Sequence, residues 1–200
     1  LRRPEESIQS AIEKCFPIIF SKIGAFVEIA HVEKAEDLFQ TALLNLDLSG
    51  ASNRAACAVI ASLAKFVPSI LHKSFYKLTS IIFAPDDAQH KARLVGALNT
   101  FRIMWDAVIK SLTEFSLATL QKLFCKVLCC LYSSSNDVII AALELLQCAV
   151  SNTPFSILDF DPFTAQGNLC SSVFNSPYHT NFEEKKRCLS KAESGEKDQE

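Results

Sequence analysis

Cysteine is the residue type in this chain whose spacing comes closest to a reactive site. Eight cysteines are present, and Cys125, Cys129 and Cys130 place two thiols four residues apart on one helix face with a third beside them. Thiolates so spaced can ligate a metal, and an adjacent pair can be S-acylated. No CxxC pair or spaced histidine completes a tetrahedral set, and free cysteine is a common small apolar core residue. We therefore predict that these thiols are structural and that the chain binds no metal or cofactor.

Histidines and glycines show no catalytic pattern either. The four histidines lie too far apart in the sequence for a dyad or ligand cluster, so we expect them on the surface or at helix ends: His31, His72, His90 and His179. No GxSxG, GxxxxGK[ST], GxGxxG or HExxH occurs, and every glycine stands alone: Gly24, Gly50, Gly96, Gly167 and Gly195. We predict that the chain is not an enzyme and has no catalytic or cofactor-binding residues or small-molecule substrate.

Composition and charge limit the kinds of partner that this chain is expected to bind. The net charge of -2 and the pI of about 6.1 give no electrostatic reason to expect nucleic-acid binding. Charged residues interrupt every apolar run, so no transmembrane segment is predicted. Cys57 and Cys148 lie inside helical patterns, which favours a reducing, intracellular compartment. The N-terminus has neither an initiator Met nor a signal peptide, so we expect a piece of a longer protein.

Seven segments with apolar residues at helical spacing predict an all-α fold. We expect residues 5–150 to be helical except for short links, with strand content near zero. The first predicted helix covers 5–23, is kinked at Pro17 and is closed by Gly24, and the second covers 33–46. The third starts after Ser52-Asn53 and ends at Pro68, and the fourth ends before Pro85. Asp86-Asp87 caps the fifth, the sixth covers Leu117–Leu131, and Ser133–Asn136 caps the seventh.

The helical pattern stops near residue 153. Proline, glycine and aspartate interrupt every later window, and the net charge changes from +1 over 1–153 to -3 over 154–200. We predict a helical domain over 1–153 and a largely disordered acidic tail or linker over 154–200, with disorder in isolation over 159–200.

Three features of the tail allow a functional interpretation beside the structural one. Its scattered aromatics can serve as docking anchors, but a linker is the favoured interpretation: Phe155, Phe160, Phe163 and Phe174. The basic run Lys185-Lys186-Arg187 can act in nuclear import, although a solvated patch is favoured. Ser190 and Ser194 are phosphorylation candidates only because the segment is accessible.

Internal similarity suggests how the helices are arranged. Three Ala-rich helices open alike and alternate with helices richer in Leu and Phe, and the starts near 5, 51, 87 and 136 bracket the period of about 40–47 residues of HEAT and armadillo repeats. Stacked hairpins of this kind bury their faces only against their neighbours. We therefore predict an α-solenoid of HEAT-like hairpins over 1–153, about three and a half repeats truncated at the N-terminal end.

Two stretches near the ends of this region carry a specific resemblance. Arg3-Pro4-Glu5-Glu6-Ser7-Ile8-Gln9 opens the helix that contains Pro17, and Ala142-Leu143-Glu144-Leu145-Leu146-Gln147 lies in the last helix. Over residues 2–158 the chain resembles the huntingtin family in its N-terminal HEAT-repeat region. It departs from the family in a shorter link near 109–117 and in the tail, which indicates a distant, invertebrate relative.

The resemblance implies a non-enzymatic interaction scaffold in a very large cytoplasmic protein that also reaches the nucleus. It implies roles in vesicle transport along microtubules and in autophagy, and a dedicated huntingtin-associated helical partner. Two alternatives share the architecture: a karyopherin-type transport receptor, and a regulatory scaffold subunit of an enzyme complex. Transport receptors usually carry acidic inner faces, and the net charge of +1 over 1–153 argues against that class.

The solenoid hypothesis has two consequences for the chain itself. The first helix should lack a neighbour on one side, leaving Ile8, Ile12, Ile19 and Ile23 half covered, so residues 1–153 alone should self-associate whereas a chain extended upstream should stay monodisperse. In the last helix, Asp in place of Leu145 or Leu146 should unfold the final hairpin.

Overall fold

Seven α-helices make up almost all of the chain that the structure describes. The structure is a computed structural model, and the described residues are 6–48, 50–84, 90–111 and 117–153. The helices are α1 (Glu6–Ala30), α2 (Val32–Asn45), α3 (Ala51–Phe66), α4 (Pro68–Phe83), α5 (His90–Lys110), α6 (Leu117–Cys130) and α7 (Asn136–Asn152). No strand occurs among these residues, so the predicted all-α class is confirmed. The predicted tail, 154–200, lies outside the described residues.

The first helix is longer than predicted, because Gly24 does not end it. The helix α1 continues to Ala30, with Pro17 in its interior. Gly24 is buried where α1 meets the end of α3: a Cβ there would lie 2.4 Å from the carbonyl oxygen of Phe66 and 2.5 Å from its Cβ. The predicted helix end was therefore wrong. The glycine allows two helices to approach closely and does not terminate one.

The start of α3 also differs from the prediction. The helix begins at Ala51, one residue after Gly50, whose φ of +67° lies in the left-handed region that favours glycine. Asn53, expected just before the helix, lies inside it and is buried. Its side-chain amide donates to the carbonyl of Leu46 at 2.7 Å and to that of Ala92 at 3.4 Å. Asn53 therefore ties α3 to the end of α2 and to α5.

The side-chain caps predicted from the sequence agree only in part with the structure. Ser135 is the residue before α7, as expected for the 133–136 segment, but its side chain makes no capping hydrogen bond. The hydroxyl of Ser133 instead accepts a hydrogen bond from the backbone N–H of Ser135 at 3.2 Å. Asp86 and Asp87, predicted to cap α5, lie outside the described residues. The predicted kink at Pro17 stays a prediction.

The helices pack as two rows. In the first row, α1 packs on α3, α3 on α5, and α5 on α7; in the second, α2 packs on α4 and α4 on α6. Consecutive helices join the rows, as α2 packs on α3 and α4 on α5. The Ala-rich helix α3 packs against helices of both rows, with twelve of its sixteen residues buried. Small side chains there allow neighbouring helices to pack closely on several sides.

Aromatic side chains fill the space between the rows. Phe75 and Phe101 are fully buried and meet edge to face, with ring centroids 5.6 Å apart. Trp105 contacts Phe124 in the same way at 5.4 Å, and its indole N–H donates to the hydroxyl of Thr153 at 2.9 Å. The end of α7 is thus bonded to α5, so the core extends to the last described residue.

We expect Asn53→Ala to lower the free energy of unfolding by about 1–3 kcal/mol, because it leaves a buried carbonyl at Leu46 without its donor. Asn53→Asp keeps the shape but turns a carboxylate toward two carbonyl oxygens, so it should destabilise at least as much. Urea denaturation followed by circular dichroism measures both, with the neighbouring Ser52→Ala as control. Equal midpoints for all three variants and the native chain would show that these hydrogen bonds contribute nothing.

Candidate functional site

One side of α1 presents an apolar stripe to solvent, in which Lys22 is the exposed charged residue. Ile8, Cys15, Ile19 and Phe26 recur at helical spacing and are all exposed. The most exposed members lie beside this line: Ile18 at 65% and Ile29 at 87%. Exposed apolar patches of this kind mark interaction surfaces on folded proteins. We call this stripe the outer face of α1: Ile8, Cys15, Ile18, Ile19, Ile23, Phe26 and Ile29.

The opposite side of α1 explains why this stripe is uncovered. Phe20, Gly24 and Val27 are buried on the side that packs against α3. Two of its acids turn the same way: Glu13 pairs with Arg54 at 3.3 Å, and Glu28 accepts from the hydroxyl of Ser69 at 2.9 Å. The prediction that Ile8, Ile19 and Ile23 are about half covered is confirmed, since 52%, 48% and 41% of each is exposed. Ile12 is half-buried.

A second apolar stripe lies at the other end of the first row, on α7. Leu143 and Val150 are exposed, and Ile139 and Leu146 are half-buried on the same side. The opposite side of α7 packs on α5 through buried residues such as Leu145. We call this stripe the outer face of α7: Ile139, Ile140, Leu143, Leu146 and Val150. Both ends of the first row therefore present apolar helix faces to solvent.

The cysteines are distributed through the fold. Cys125 and Cys129 are half-buried and Cys130 is buried on α6, whereas Cys15 is exposed on α1. Burial raises the pKa of the Cys57 thiol from 9.0 to about 11, so this thiol is neutral at physiological pH. Within the described ranges, no group of three or more His, Cys, Asp and Glu residues could hold a metal ion.

The histidines do not come together as a site. His31 lies at the junction of α1 and α2, where its ring meets that of Phe26 edge-on at 5.3 Å. His72 is exposed on α4 and His90 is half-buried at the start of α5. The remaining candidates lie outside the described residues: His179, the 185–187 basic run, Ser190 and Ser194.

An open groove of about 610 Å³ runs past the N-terminal ends of α3, α5 and α7. Two of its charged residues are paired within the molecule: Arg54 with Glu13 of α1, and Glu144 with Arg102 at 3.5 Å. Lys91 donates to the hydroxyl of Ser134 at 3.2 Å. Because Arg54, Lys91 and Glu144 already have partners within the molecule, the groove offers a weaker recognition surface than the apolar outer faces.

Comparison with known proteins finds no relative: no family model, no curated protein and no solved structure matches the chain. The resemblance to the huntingtin family therefore stays a prediction. Among the described residues, no single helix has the length and apolar character to cross a membrane, although α1 and α2 pass that test together across a bend of 119°.

Thiol labelling should separate Cys15 from Cys57. The thiolate is the reactive form, so at pH 8 the buried Cys57 should resist a maleimide while the exposed Cys15 reacts within minutes. The raised pKa also means that the stability contributed by the neutral Cys57 thiol is complete below pH 9 and is lost as the pH rises through about 11. Peptide mapping by mass spectrometry measures the labelled fraction of Cys15 and of Cys57. Equal labelling of both cysteines in the folded chain would contradict the burial of Cys57.

Sequence reasoning found only part of these surfaces. It identified Ile8, Ile12, Ile19 and Ile23 of α1 but missed Phe26 and Ile29, because it ended the helix at Gly24. It also missed Ile18, which lies at the edge of the stripe. It also missed the outer face of α7, where a wide apolar arc runs most of the way around the helix. The available signal was the continued 3.6-residue spacing through 25–30 and the absence of lysine and arginine in α7.

Proposed function

We propose that this chain is a non-enzymatic protein-interaction scaffold built from stacked, HEAT-like helical hairpins. The observation that supports it most is the regular sequence distance between contacting elements. Apart from the Asn53–Leu46 bond beside the α2–α3 link, the side-chain hydrogen bonds and ion pairs between one hairpin and the next join residues between 37 and 48 positions apart, from Lys73–Glu36 to Trp105–Thr153. Such a narrow range is expected when each hairpin contacts only its neighbours.

The two rows support the same interpretation. A hairpin repeat places its first helix in one row and its second in the other, and α1, α3, α5 and α7 follow one another in contact while α2, α4 and α6 do the same. Ion pairs recur at the seams between successive hairpins: Glu13 with Arg54, Glu36 with Lys73, and Arg102 with Glu144. Repeated seams of this kind favour an α-solenoid over a closed bundle, in which every helix surrounds one core.

A scaffold function fits the surface chemistry of the described residues. The largest distinctive features are apolar helix faces, which bind other helices, and the open groove carries charges of both signs. By its resemblance, the protein belongs with huntingtin-like scaffolds of the cytoplasm and nucleus that act in vesicle transport and autophagy. Its partners would be other proteins, including a huntingtin-associated helical partner.

Affinity capture of the full chain followed by mass spectrometry tests this proposal, using the natively folded chain and a Leu145→Asp chain as matched baits. We expect the folded bait alone to retain the huntingtin-associated helical partner and proteins of vesicle transport. Selective capture of nuclear-import cargo would favour the transport receptor instead. Selective capture of a phosphatase catalytic subunit would favour the regulatory subunit.

A further inference from the structure

We propose that the solvent side of α4 and α6 binds an acidic segment of a partner protein, with carboxylates spaced one helical turn apart. The inference rests on the proposed scaffold function, because it specifies one kind of partner. The helix α4 contacts both α2 and α6, so its solvent side does not lie at an end of the second row. We call this surface the lysine face: Lys73, Lys77, Lys122, Lys126 and the exposed Tyr76.

A motif shared by the two helices places the lysines on one side of each. Residues 73–77 and 122–126 both read Lys-x-Phe-x-Lys. The central phenylalanines, Phe75 and Phe124, are buried, and each meets an aromatic ring of α5 edge to face. Two positions along an α-helix correspond to a rotation of about 200°, so the lysines on either side of each phenylalanine point away from it. The structure agrees, since three of the lysines are exposed and Lys126 is half-buried.

Few carboxylates of the molecule itself reach this face. Neither α4 nor α6 contains aspartate or glutamate. Lys73 pairs with Glu36 of α2 at 2.6 Å, and the other three lysines form no ion pair within the described part of the chain. Lysines four positions apart on one helix repel each other, so each motif destabilises its own helix. Such a cost is expected where a partner supplies the opposite charge.

The contact between α2 and α4 shows which group the next contact of the row lacks. Glu36, three positions before the buried phenylalanine of α2, pairs with Lys73, two positions before that of α4. The same positions on α4 and α6 hold His72 and Lys122. The second contact therefore repeats the lysine without the carboxylate. An aspartate or glutamate of the partner supplies the group that Glu36 supplies in the first contact.

Spacing and charge favour a protein segment over a nucleic acid. Lysines four positions apart lie about 6 Å apart along the helix axis, and carboxylates at positions i and i+4 of a partner helix have the same spacing. Tyr76, between the two lysines of α4, is 54% exposed, and tyrosine is enriched among the residues that dominate protein–protein binding. The chain carries 22 acidic and 20 basic residues, so it lacks the overall positive charge typical of nucleic-acid-binding proteins.

Fluorescence anisotropy with the full chain tests the proposal. The probe is a labelled helical peptide with glutamates four residues apart, and the matched probe has glutamine in place of every glutamate. Lys122→Gln with Lys126→Gln removes the two lysines of α6 from the lysine face. Lys14→Gln with Lys22→Gln, on exposed lysines of α1, is the control. Circular dichroism checks that each variant is folded.

We expect the native chain and the control to bind the glutamate peptide and not the glutamine peptide, with an affinity that falls as the salt concentration rises. The variant that lacks Lys122 and Lys126 should bind about tenfold more weakly. The proposal is overturned if the native chain does not bind the glutamate peptide, binds both peptides equally, or binds a single-stranded DNA of equal charge more tightly. Equal binding by the native chain and the α6 variant would also overturn it. Affinity capture of partner proteins without binding of the glutamate peptide would refute the lysine face and leave the scaffold function standing.

Discussion

Leu145→Asp is expected to unfold α7 and to lower the free energy of unfolding by about 3–5 kcal/mol, because it places a carboxylate in a dry contact with α5. Leu145 is 2% exposed and lies on the buried side of α7. Native domains are stable by only about 5–15 kcal/mol, so the loss is a large fraction of the total. Urea denaturation monitored by circular dichroism measures it, and the fluorescence of Trp105, which bonds to Thr153, reports on the α7 end.

The adjacent residues provide matched controls for this change. Leu146 is half-buried on the outer face, so Leu146→Asp should cost only about 1–2 kcal/mol, in contrast to the unfolding predicted from the sequence. Leu143 is half exposed, and Leu143→Asp should change the stability by less than about 0.5 kcal/mol. If Leu146→Asp were as damaging as Leu145→Asp, the buried side of α7 would be wrongly assigned.

Gly24→Ala is expected to destabilise the chain by about 1–3 kcal/mol, although the same change in an exposed helix stabilises by about 1 kcal/mol. The new methyl carbon would lie 2.4 Å from the carbonyl oxygen of Phe66, 2.5 Å from its Cβ and 2.9 Å from its carbonyl carbon. Backbone atoms cannot rotate away, so α1 must move off α3. That movement exposes Phe20 and Val27, which are buried in the same contact.

Thermal denaturation and amide exchange across α1 measure the effect of Gly24→Ala. Ser21→Ala is the matched control, because Ser21 is exposed on the same helix and lies within one turn of Gly24. The control should leave the melting temperature unchanged or raise it slightly. A higher melting temperature for Gly24→Ala would mean that α1 does not approach α3 as closely as the structure describes.

The sequence alone determined the helical class and most helix boundaries to within a few residues. Backbone hydrogen bonds in a helix join residues only four apart, so apolar spacing and breaks such as Gly50 and Pro68 carry the necessary information locally. The alternation of Ala-rich and Leu- and Phe-rich helices also predicted two kinds of helix. The structure places the three helices identified as Ala-rich, α1, α3 and α7, in one row, but α5 lies in the same row.

Tertiary structure decided what the individual residues of those helices do. Local rules assign Gly24 to a helix end and Asn53 to a helix start, yet each lies inside a helix because of a neighbour distant in sequence: Phe66 for the glycine, Leu46 and Ala92 for the asparagine. Leu145 and Leu146 are the same residue type one position apart, and only the location of α5 makes one buried and the other half-buried. Periodicity shows that a helix has an apolar side, but which side is covered depends on long-range packing that no short stretch of sequence encodes.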